Sequence, residues 1–151
     1  MKIGIGADHN GYKMKQKIIK YLKKKKYDVI DYGCDTDKSL DDYIDYAYIV
    51  CKGVLDGEVE RGILVCGTGI GMSIAANKMK GIMCAKVDNV KEAALSIQHN
   101  QANVIALGAS KPFFDIKDML DEYLHAEPLS DERYYRRIDK LVELEKKRSY
   151  K

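Results

Sequence analysis

The sequence predicts an α/β fold in which a parallel sheet of about five strands is covered by helices on both faces. Patterns typical of strands and of helices alternate along the chain, and this alternation is what produces parallel sheets. The strand patterns are short apolar runs rich in β-branched residues, as expected of buried strands. One of these runs ends in a glycine-rich turn at the edge where sheets of this class bind ligands.

Five segments have the composition of strands. Each is a short run bounded by glycine or polar residues, and the connections between them carry helical patterns. No internal repeat or flexible linker divides the chain, so a single domain over residues 1–151 is expected. The predicted strands are Lys2–Ala7, Asp28–Tyr32, Gly62–Cys66, Ile82–Val87 and Val104–Leu107.

Helical periodicity accounts for the segments between the strands and for the end of the chain. In the first of them Met14, Ile18 and Leu22 recur on one side, which predicts an amphipathic helix. Pro112 suits the opening of another helix, and the last helix is strongly charged. The predicted helices are Lys13–Lys25, Ile44–Asp56, Met72–Met79, Asn89–Gln98, a stretch from Pro112 through Leu124, and Asp131–Lys147.

The segment that follows the third strand predicts an anion-binding site. Residues 67–71 (the glycine loop) alternate glycine with Thr68 and Ile70, so the backbone can curl with several N–H groups pointing inward. The helix that follows adds the positive end of its dipole. Walker and dinucleotide-binding motifs are both excluded, because no Gly-Lys-Ser/Thr ending follows and the loop is not on the first strand.

Cys66 stands at the last position of that strand, where its sulfur would face the glycine loop. A thiol beside a helix start ionises more easily than a free one, which makes Cys66 a candidate base. The first strand ends in Asp8 and His9, and His99 and Asn100 precede the fifth strand. Both histidines are therefore expected at the edge of the sheet that carries the glycine loop, whereas His125 is expected to be a helix cap or a surface residue.

Composition sets the limits on other functions. The net charge of +3, from 26 basic and 23 acidic residues, is too small to indicate a nucleic-acid partner. Arg133, Arg136, Arg137 and the stretch 146–148 give an RNA-binding alternative only weak support. No apolar stretch is long enough for a membrane span, and the chain enters a strand at its first residues without a signal peptide, so a cytoplasmic protein is expected. The four cysteines have neither disulfide nor zinc spacing, and no cofactor or metal is expected.

Four motifs in order resemble the ribose-5-phosphate isomerase B family, within the group that includes the galactose-6-phosphate isomerase subunits, and the resemblance covers nearly the whole chain. It implies a Rossmann-like three-layer sandwich that forms a homodimer with shared sites, in which the C-terminal helix, about residues 131–147, reaches the partner subunit. The sequence leaves open whether dimers pair into tetramers. The resemblance also implies metal-independent interconversion of aldose and ketose phosphates. The motifs are Asp8-His9-Asn10-Gly11, Asp42-Tyr43-Ile44-Asp45-Tyr46-Ala47, Cys66-Gly67-Thr68-Gly69-Ile70-Gly71 and His99-Asn100-Gln101-Ala102-Asn103-Val104.

The resemblance also implies roles for individual residues. Cys66 would remove the proton beside the carbonyl, and Thr68 with the backbone of the glycine loop would hold the developing enediolate. His99 would assist opening of the sugar ring, with Asp8 nearby. The remaining expected substrate contacts are Tyr43 and Asn100 to sugar hydroxyls, His9, Arg133 and Arg137 to phosphate, and the loop residues Gly67, Gly69, Ile70 and Gly71.

The chain departs from the family pattern near the expected phosphate site. Ser110 and Lys111 stand where an arginine is usual, Tyr134 replaces the histidine of a Gly-Gly-Arg-His motif, and Ile44 stands where proline is frequent. Ribose 5-phosphate is the leading substrate, and a six-carbon sugar phosphate such as allose 6-phosphate or galactose 6-phosphate is the alternative. A sugar-phosphate or nucleotide sensor without catalysis is a third hypothesis, and retention of Cys66 argues against it.

Overall fold

A computed structural model of the chain describes residues 1–147. Within these residues five strands and six helices alternate as the sequence predicts, and the last helix follows the fifth helix directly. The strands are β1 Lys2–Ala7, β2 Asp28–Asp31, β3 Arg61–Cys66, β4 Cys84–Lys86 and β5 Val104–Gly108. The helices are α1 Tyr12–Lys24, α2 Tyr43–Leu55, α3 Ile70–Asn77, α4 Val90–Gln98, α5 Phe113–His125 and α6 Glu132–Lys146.

All five strands are parallel and lie in the order β2-β1-β3-β5-β4. After β1 the chain moves to one side of the sheet and after β3 it moves to the other, so the strand order reverses between these two neighbours. The crevice at such a reversal, at the carboxyl ends of the strands, is where open parallel sheets bind ligands. Ala7 pairs with Val65 in the register, and Asp8 and Cys66 therefore follow at adjacent strand ends.

Two apolar layers cover the sheet and confirm the α/β sandwich. On one face α1, α4 and α5 pack against Ile5, Ile63 and Ile105, and on the other α2 and α3 pack against Leu64 and Ala106. The five residues just named are fully buried, because the central strands are covered on both sides. Among residues 1–147, no helix is both long and apolar enough to cross a membrane.

Some element boundaries differ from the prediction. Helix α3 begins at Ile70, two residues earlier than expected, because Gly69 caps it in a left-handed conformation with φ of 82°. Strand β4 keeps only Cys84–Lys86 of the predicted six residues, since it lies at the edge of the sheet and pairs with β5 alone.

Helix α6 lies along the edge of the sheet at which the strands begin. Its far end is held by Glu145, whose carboxylate accepts the N–H of Gly81 at 3.0 Å, just before β4. The connection that leads into α6 is held by Leu129, whose N–H donates to the carbonyl of Gln98 at 3.0 Å. Residue 148 of the basic stretch considered above lies outside the described residues.

Candidate active site

The loop after β1 lies directly on the end of β3. The N–H of Asp8 donates to the carbonyl of Val65 at 3.3 Å. A Cβ on Gly11 would stand 2.3 Å from that same carbonyl oxygen, so only glycine allows this approach. Asp8 is buried and its Oδ1 accepts the N–H of Gly11 at 3.0 Å, which fixes the turn. Asp8 and His9 are thereby held beside Cys66.

Within the glycine loop one N–H is directed at the cysteine sulfur. Gly69 donates to Sγ of Cys66 at 3.1 Å, and Cys66 is only 5 % exposed. The loop turns this tightly because Gly69 has a positive φ and a Cβ there would stand 3.0 Å from the backbone of Leu107. The N–H of Ile70 is taken by Oγ1 of Thr68 at 3.2 Å. The loop thus supplies a hydrogen-bond donor to the sulfur itself.

Tyr43 forms one wall of this crevice. Its ring lies against the first turn of α3, where a Cβ on Gly71 would stand 2.5 Å from the ring. Asn10 borders the loop on the other side, 3.9 Å from the place where a Cβ of Gly67 would be. Tyr43 and the loop glycines are therefore brought together at the crevice.

His9 is paired with a carboxylate that the sequence did not single out. Its Nδ1 lies 2.6 Å from Oδ1 of Asp41, and its backbone N–H donates to the same oxygen at 3.0 Å. This hydrogen bond raises the pKa of His9 above its ordinary 6.5, and the charge of Asp8 acts in the same direction. Burial opposes ionisation of Asp41, but hydrogen bonds from His9 and Tyr46 outweigh it and lower the pKa of Asp41 below 3.8. The pair favours an imidazolium facing the crevice.

One cluster of side chains that could hold a metal ion was not anticipated, because its members have no metal-ligand spacing in the sequence. Asp8, His9 and Asp41 present three groups within 4.8 Å of one another, from two loops far apart in the chain. The shortest separation in the cluster is the His9–Asp41 contact, which has the length of a strong charge-assisted hydrogen bond. The cluster therefore consists of a hydrogen-bonded histidine–carboxylate pair beside a second, buried carboxylate.

His99 and Asn100 do not lie at this edge, and the expectation that His99 shares an edge with the glycine loop is wrong. His99 caps the carboxyl end of α4, and α4 runs back across the sheet to the start of β5. The register pairs Val104 with Gly62 at the start of the strands and Gly108 with Cys66 at their end. The two edges are separated by β5, about 13 Å at about 3.3 Å per residue.

Arg133 lies with His99 at this second edge, where the buried ring of Tyr134 contacts both side chains. Arg137, one turn further along α6, is exposed. One chain therefore carries two groups of predicted site residues. Asp8, His9, Tyr43, Cys66 and the glycine loop form the group at the carboxyl ends of the strands (the cysteine half-site). His99, Asn100, Arg133 and Arg137 form the group at the amino ends (the histidine half-site).

Sequence reasoning missed three neighbours of these groups. Asp41 was not predicted because the segment between β2 and α2 has no periodicity that would place it. Tyr46 belongs to a family motif in α2 but was given no role. Tyr134 was noted only as a departure from a motif. Local sequence could not single it out, because the adjacent Tyr135 has the same side chain and is exposed.

A buried thiol with a backbone donor and a nearby histidine paired with a carboxylate lie at the switch point of a parallel sheet, and together they define an α/β enzyme acting on small anionic substrates. More specifically, the chain belongs to the Ribose/Galactose Isomerase family, which it matches over residues 3–141.

Three similar proteins illustrate the relationship. The structure of ribose-5-phosphate isomerase B from Clostridium thermocellum is 45% identical, with a TM-score of 0.95, covering 99% of this chain and 100% of that one. The structure of the Mycoplasma genitalium enzyme with bound ribulose-5-phosphate is 39% identical, with a TM-score of 0.90, covering 96% of each chain. Ribose-5-phosphate isomerase B of Escherichia coli is 38% identical over 149 residues, 98% of this chain and 99% of that protein.

Proposed function

We propose that the protein is an aldose–ketose isomerase that interconverts ribose 5-phosphate and ribulose 5-phosphate through an enediolate. Membership of the family and full-length similarity to ribose-5-phosphate isomerases B support the reaction class. The observation that carries the proposal is the hydrogen bond from the Gly69 N–H to Sγ of Cys66 at the switch point of the sheet. The sulfur must alternately lose and gain a proton, and this hydrogen bond holds it in one orientation beside a fixed donor.

The chemistry follows from this arrangement. Cys66 takes the proton from the carbon beside the carbonyl, and the electrons of the broken C–H bond form the double bond of the enediolate. Negative charge develops on the former carbonyl oxygen, which Thr68 and free N–H groups of the glycine loop would stabilise. Cys66 then gives the proton to the former carbonyl carbon. The hydroxyl proton on the other carbon passes to the former carbonyl oxygen, so the new carbonyl forms on the carbon that was deprotonated first. No electron leaves the substrate, so the reaction needs no redox cofactor.

The phosphate requires positive charge, which the two half-sites would supply from different directions. His9 is favoured as an imidazolium by Asp41, and Arg133 and Arg137 stand four residues apart on α6. Two guanidiniums at this spacing lie on one helix face and suit a shared phosphate. Tyr43 and Asn100 would then contact sugar hydroxyls, and His99 with Asp8 would move protons during ring opening.

These roles require two copies of the chain, because Cys66 and His99 of one chain lie at opposite edges of the sheet. A homodimer would bring the cysteine half-site of one copy against the histidine half-site of the other. Exposed apolar side chains beside both half-sites support such contact. They are Ile44, Tyr48, Ile70 and Ile74 on α2 and α3, and Leu141, Val142 and Leu144 on α6.

A six-carbon sugar phosphate is the alternative substrate, and the position of Ser110 is the observation that favours it. Ser110 follows β5, and the preceding Ala109 donates its N–H to the carbonyl of Cys66 at 2.8 Å. The exposed Ser110 therefore stands at the cysteine edge, where the family pattern has a longer arginine. A short side chain there leaves room for a longer substrate, and it lacks the positive charge with which an arginine would bind the phosphate.

A coupled assay of ribose 5-phosphate, allose 6-phosphate and galactose 6-phosphate at matched concentrations tests the proposal. The highest kcat/KM is expected for ribose 5-phosphate. A higher kcat/KM for a six-carbon sugar phosphate would make that compound the substrate in place of ribose 5-phosphate. Binding of the three compounds without turnover of any of them would favour a sensor.

A further inference from the structure

We infer that Tyr134 is a positioning residue that holds the imidazole of His99 and the guanidinium of Arg133 in one fixed arrangement. The inference rests on the proposed function, since it concerns how the histidine half-site is built. It assigns a role to a residue at which the chain departs from the family pattern. It also joins two predicted functions, ring opening and phosphate binding, through one side chain.

The first contact is a ring stack. The rings of His99 and Tyr134 have centroids 4.4 Å apart and planes only 11° from parallel. Tyr134 is 7% exposed, and it is the one buried residue of the described helix α6. A stacked ring at this distance fixes the plane of the imidazole and therefore the directions in which its two nitrogens can exchange protons. A half-buried histidine at a helix end would otherwise be free to rotate about its side-chain bonds.

The second contact orients Arg133. Its Nη2 donates to the hydroxyl of Tyr134 at 2.9 Å, and its Cζ lies 4.8 Å from the centroid of the same ring. Nε of Arg133 also lies 3.5 Å from Oδ2 of Asp131, the residue that caps α6. The guanidinium is thus placed over the face of one ring with its plane set by two partners.

The backbone keeps this group together. The N–H of His99 continues the hydrogen bonding of α4 to Leu95, and the next connection is tied back by Leu129 to the carbonyl of Gln98. The start of α6 is therefore fixed relative to the end of α4, and Tyr134 lies on the imidazole from a rigid base. The hydroxyl of Tyr134 binds Arg133, whereas its ring contacts both Arg133 and His99. Tyr134→Phe therefore tests the hydroxyl contact alone, and Tyr134→Leu also removes the stack on His99.

Ring opening and proton abstraction can be measured apart. In ring opening the bond between C1 and the ring oxygen breaks, the ring oxygen gains a proton and the C1 hydroxyl loses one. Ribulose 5-phosphate has no such ring, so exchange of its C1 hydrogen with deuterium from D₂O requires Cys66 but no ring opening. The ratio of ribose 5-phosphate turnover to this exchange therefore reports on His99.

The experiment compares Tyr134→Phe and Tyr134→Leu with Tyr135→Leu, a change at the exposed neighbouring position of α6. Both activities of the unchanged protein are measured first, and absence of both would refute the proposed function rather than the role of Tyr134. Each variant is assayed over a range of ribose 5-phosphate concentrations, which gives kcat and KM, and by NMR for C1 exchange at saturating ribulose 5-phosphate. Thermal melting and size-exclusion chromatography check that fold and assembly are kept.

For Tyr134→Phe the stack remains and the hydroxyl contact is lost, so KM should rise about threefold to tenfold with kcat nearly unchanged. For Tyr134→Leu turnover of ribose 5-phosphate should fall tenfold or more, with C1 exchange reduced less than threefold. Tyr135→Leu should change neither. An equal loss of turnover and exchange in Tyr134→Leu would show a merely structural role, and unchanged kinetics in both Tyr134 variants would show no role; either result overturns the inference.

Discussion

One oxygen of Asp41 accepts both hydrogen bonds that fix His9. Oδ1 takes the imidazole Nδ1–H at 2.6 Å and the backbone N–H of the same residue at 3.0 Å. Nδ1 is thereby occupied, and Nε2 is left as the nitrogen that can face a substrate anion. Because Asp41 and Asp8 are the carboxylates that raise the pKa of His9, replacing one of them should change its charge near neutral pH.

Asp41→Asn should lower the pH at which phosphate binding weakens. His9 keeps its proton above its ordinary pKa of 6.5 while Asp41 is ionised, and loses this support in the variant. The inhibition constant of inorganic phosphate, measured between about pH 6 and 9, should rise at lower pH in the variant. The phosphate's own titration cancels in the ratio of the two proteins. Identical pH profiles would contradict the pairing.

The same pair has a consequence for folding. A raised pKa of His9 stabilises the fold fully below about 6.5, and this contribution is lost as pH rises through the raised value. The lowered pKa of Asp41 stabilises the fold above about pH 3.8, and this contribution is lost as pH falls through the lowered value. The free energy of unfolding of Asp41→Asn, measured by urea titration, should differ most from that of the unchanged protein between these limits.

Cys66→Ala should reduce kcat by at least about 100- to 10,000-fold, the usual contribution of a general base. Affinity for a phosphorylated inhibitor should be kept, since Cys66 makes no predicted phosphate contact. Thiol alkylation gives a parallel test, because burial raises the pKa of Cys51 to about 12 and also raises the pKa values of Cys34 and Cys84. Peptide mapping should find Cys66 modified first, and more slowly with substrate present. Near-native activity of Cys66→Ala would end its assignment as the base.

Mixing two inactive proteins should restore activity if each site takes residues from both copies. In a hybrid of Cys66→Ala with the double variant Arg133→Ala/Arg137→Ala, one of the two sites combines an intact Cys66 with intact arginines. Random exchange of equal amounts makes half of the dimers hybrids, each with one intact site of two, so about a quarter of the unchanged protein's activity should appear. Subunit exchange is confirmed by mass spectrometry of a tagged copy. Exchange without any recovered activity would exclude a shared site.

Ser110→Arg should tighten binding of five-carbon sugar phosphates. Charged hydrogen bonds to phosphate contribute about 1.5 to 3 kcal/mol, so KM for ribose 5-phosphate should fall about tenfold or more. Ser110→Gln supplies comparable length without charge and should leave KM nearly unchanged. If both variants lower KM equally, the effect comes from filled space and not from charge.

Chelation should leave the activity unchanged, because backbone N–H groups can meet the charge of the enediolate. The cluster of Asp8, His9 and Asp41 is the place to check. Activity after prolonged dialysis against a chelator is compared with activity after added Zn²⁺ or Mn²⁺. Loss on chelation and recovery with a divalent ion would overturn the metal-independent mechanism.

Local sequence was sufficient to predict β3 and the glycine loop, because the strand pattern, the glycine spacing and the helix start all lie within about ten residues. The edge at which His99 lies could also have been predicted from the order of the elements, since a residue just before a parallel strand lies at the strand's amino end. The interpretation of His99 failed because it used the neighbourhood of β5 without its direction. Asp41 is different. Its approach to His9 depends on how the connection of β2 to α2 folds over the sheet, which no periodicity records.

The separation of Cys66 and His99 across the sheet also limits how chains can associate. A molecule with complementary surfaces at opposite edges can join head to tail, and such joining extends into an open filament unless rotation closes it. A two-fold axis makes each chain both donor and acceptor for the same neighbour, and no unmatched surface is left at either end. For this protein, a two-fold dimer would therefore complete both active sites and also leave no free surface for further head-to-tail assembly.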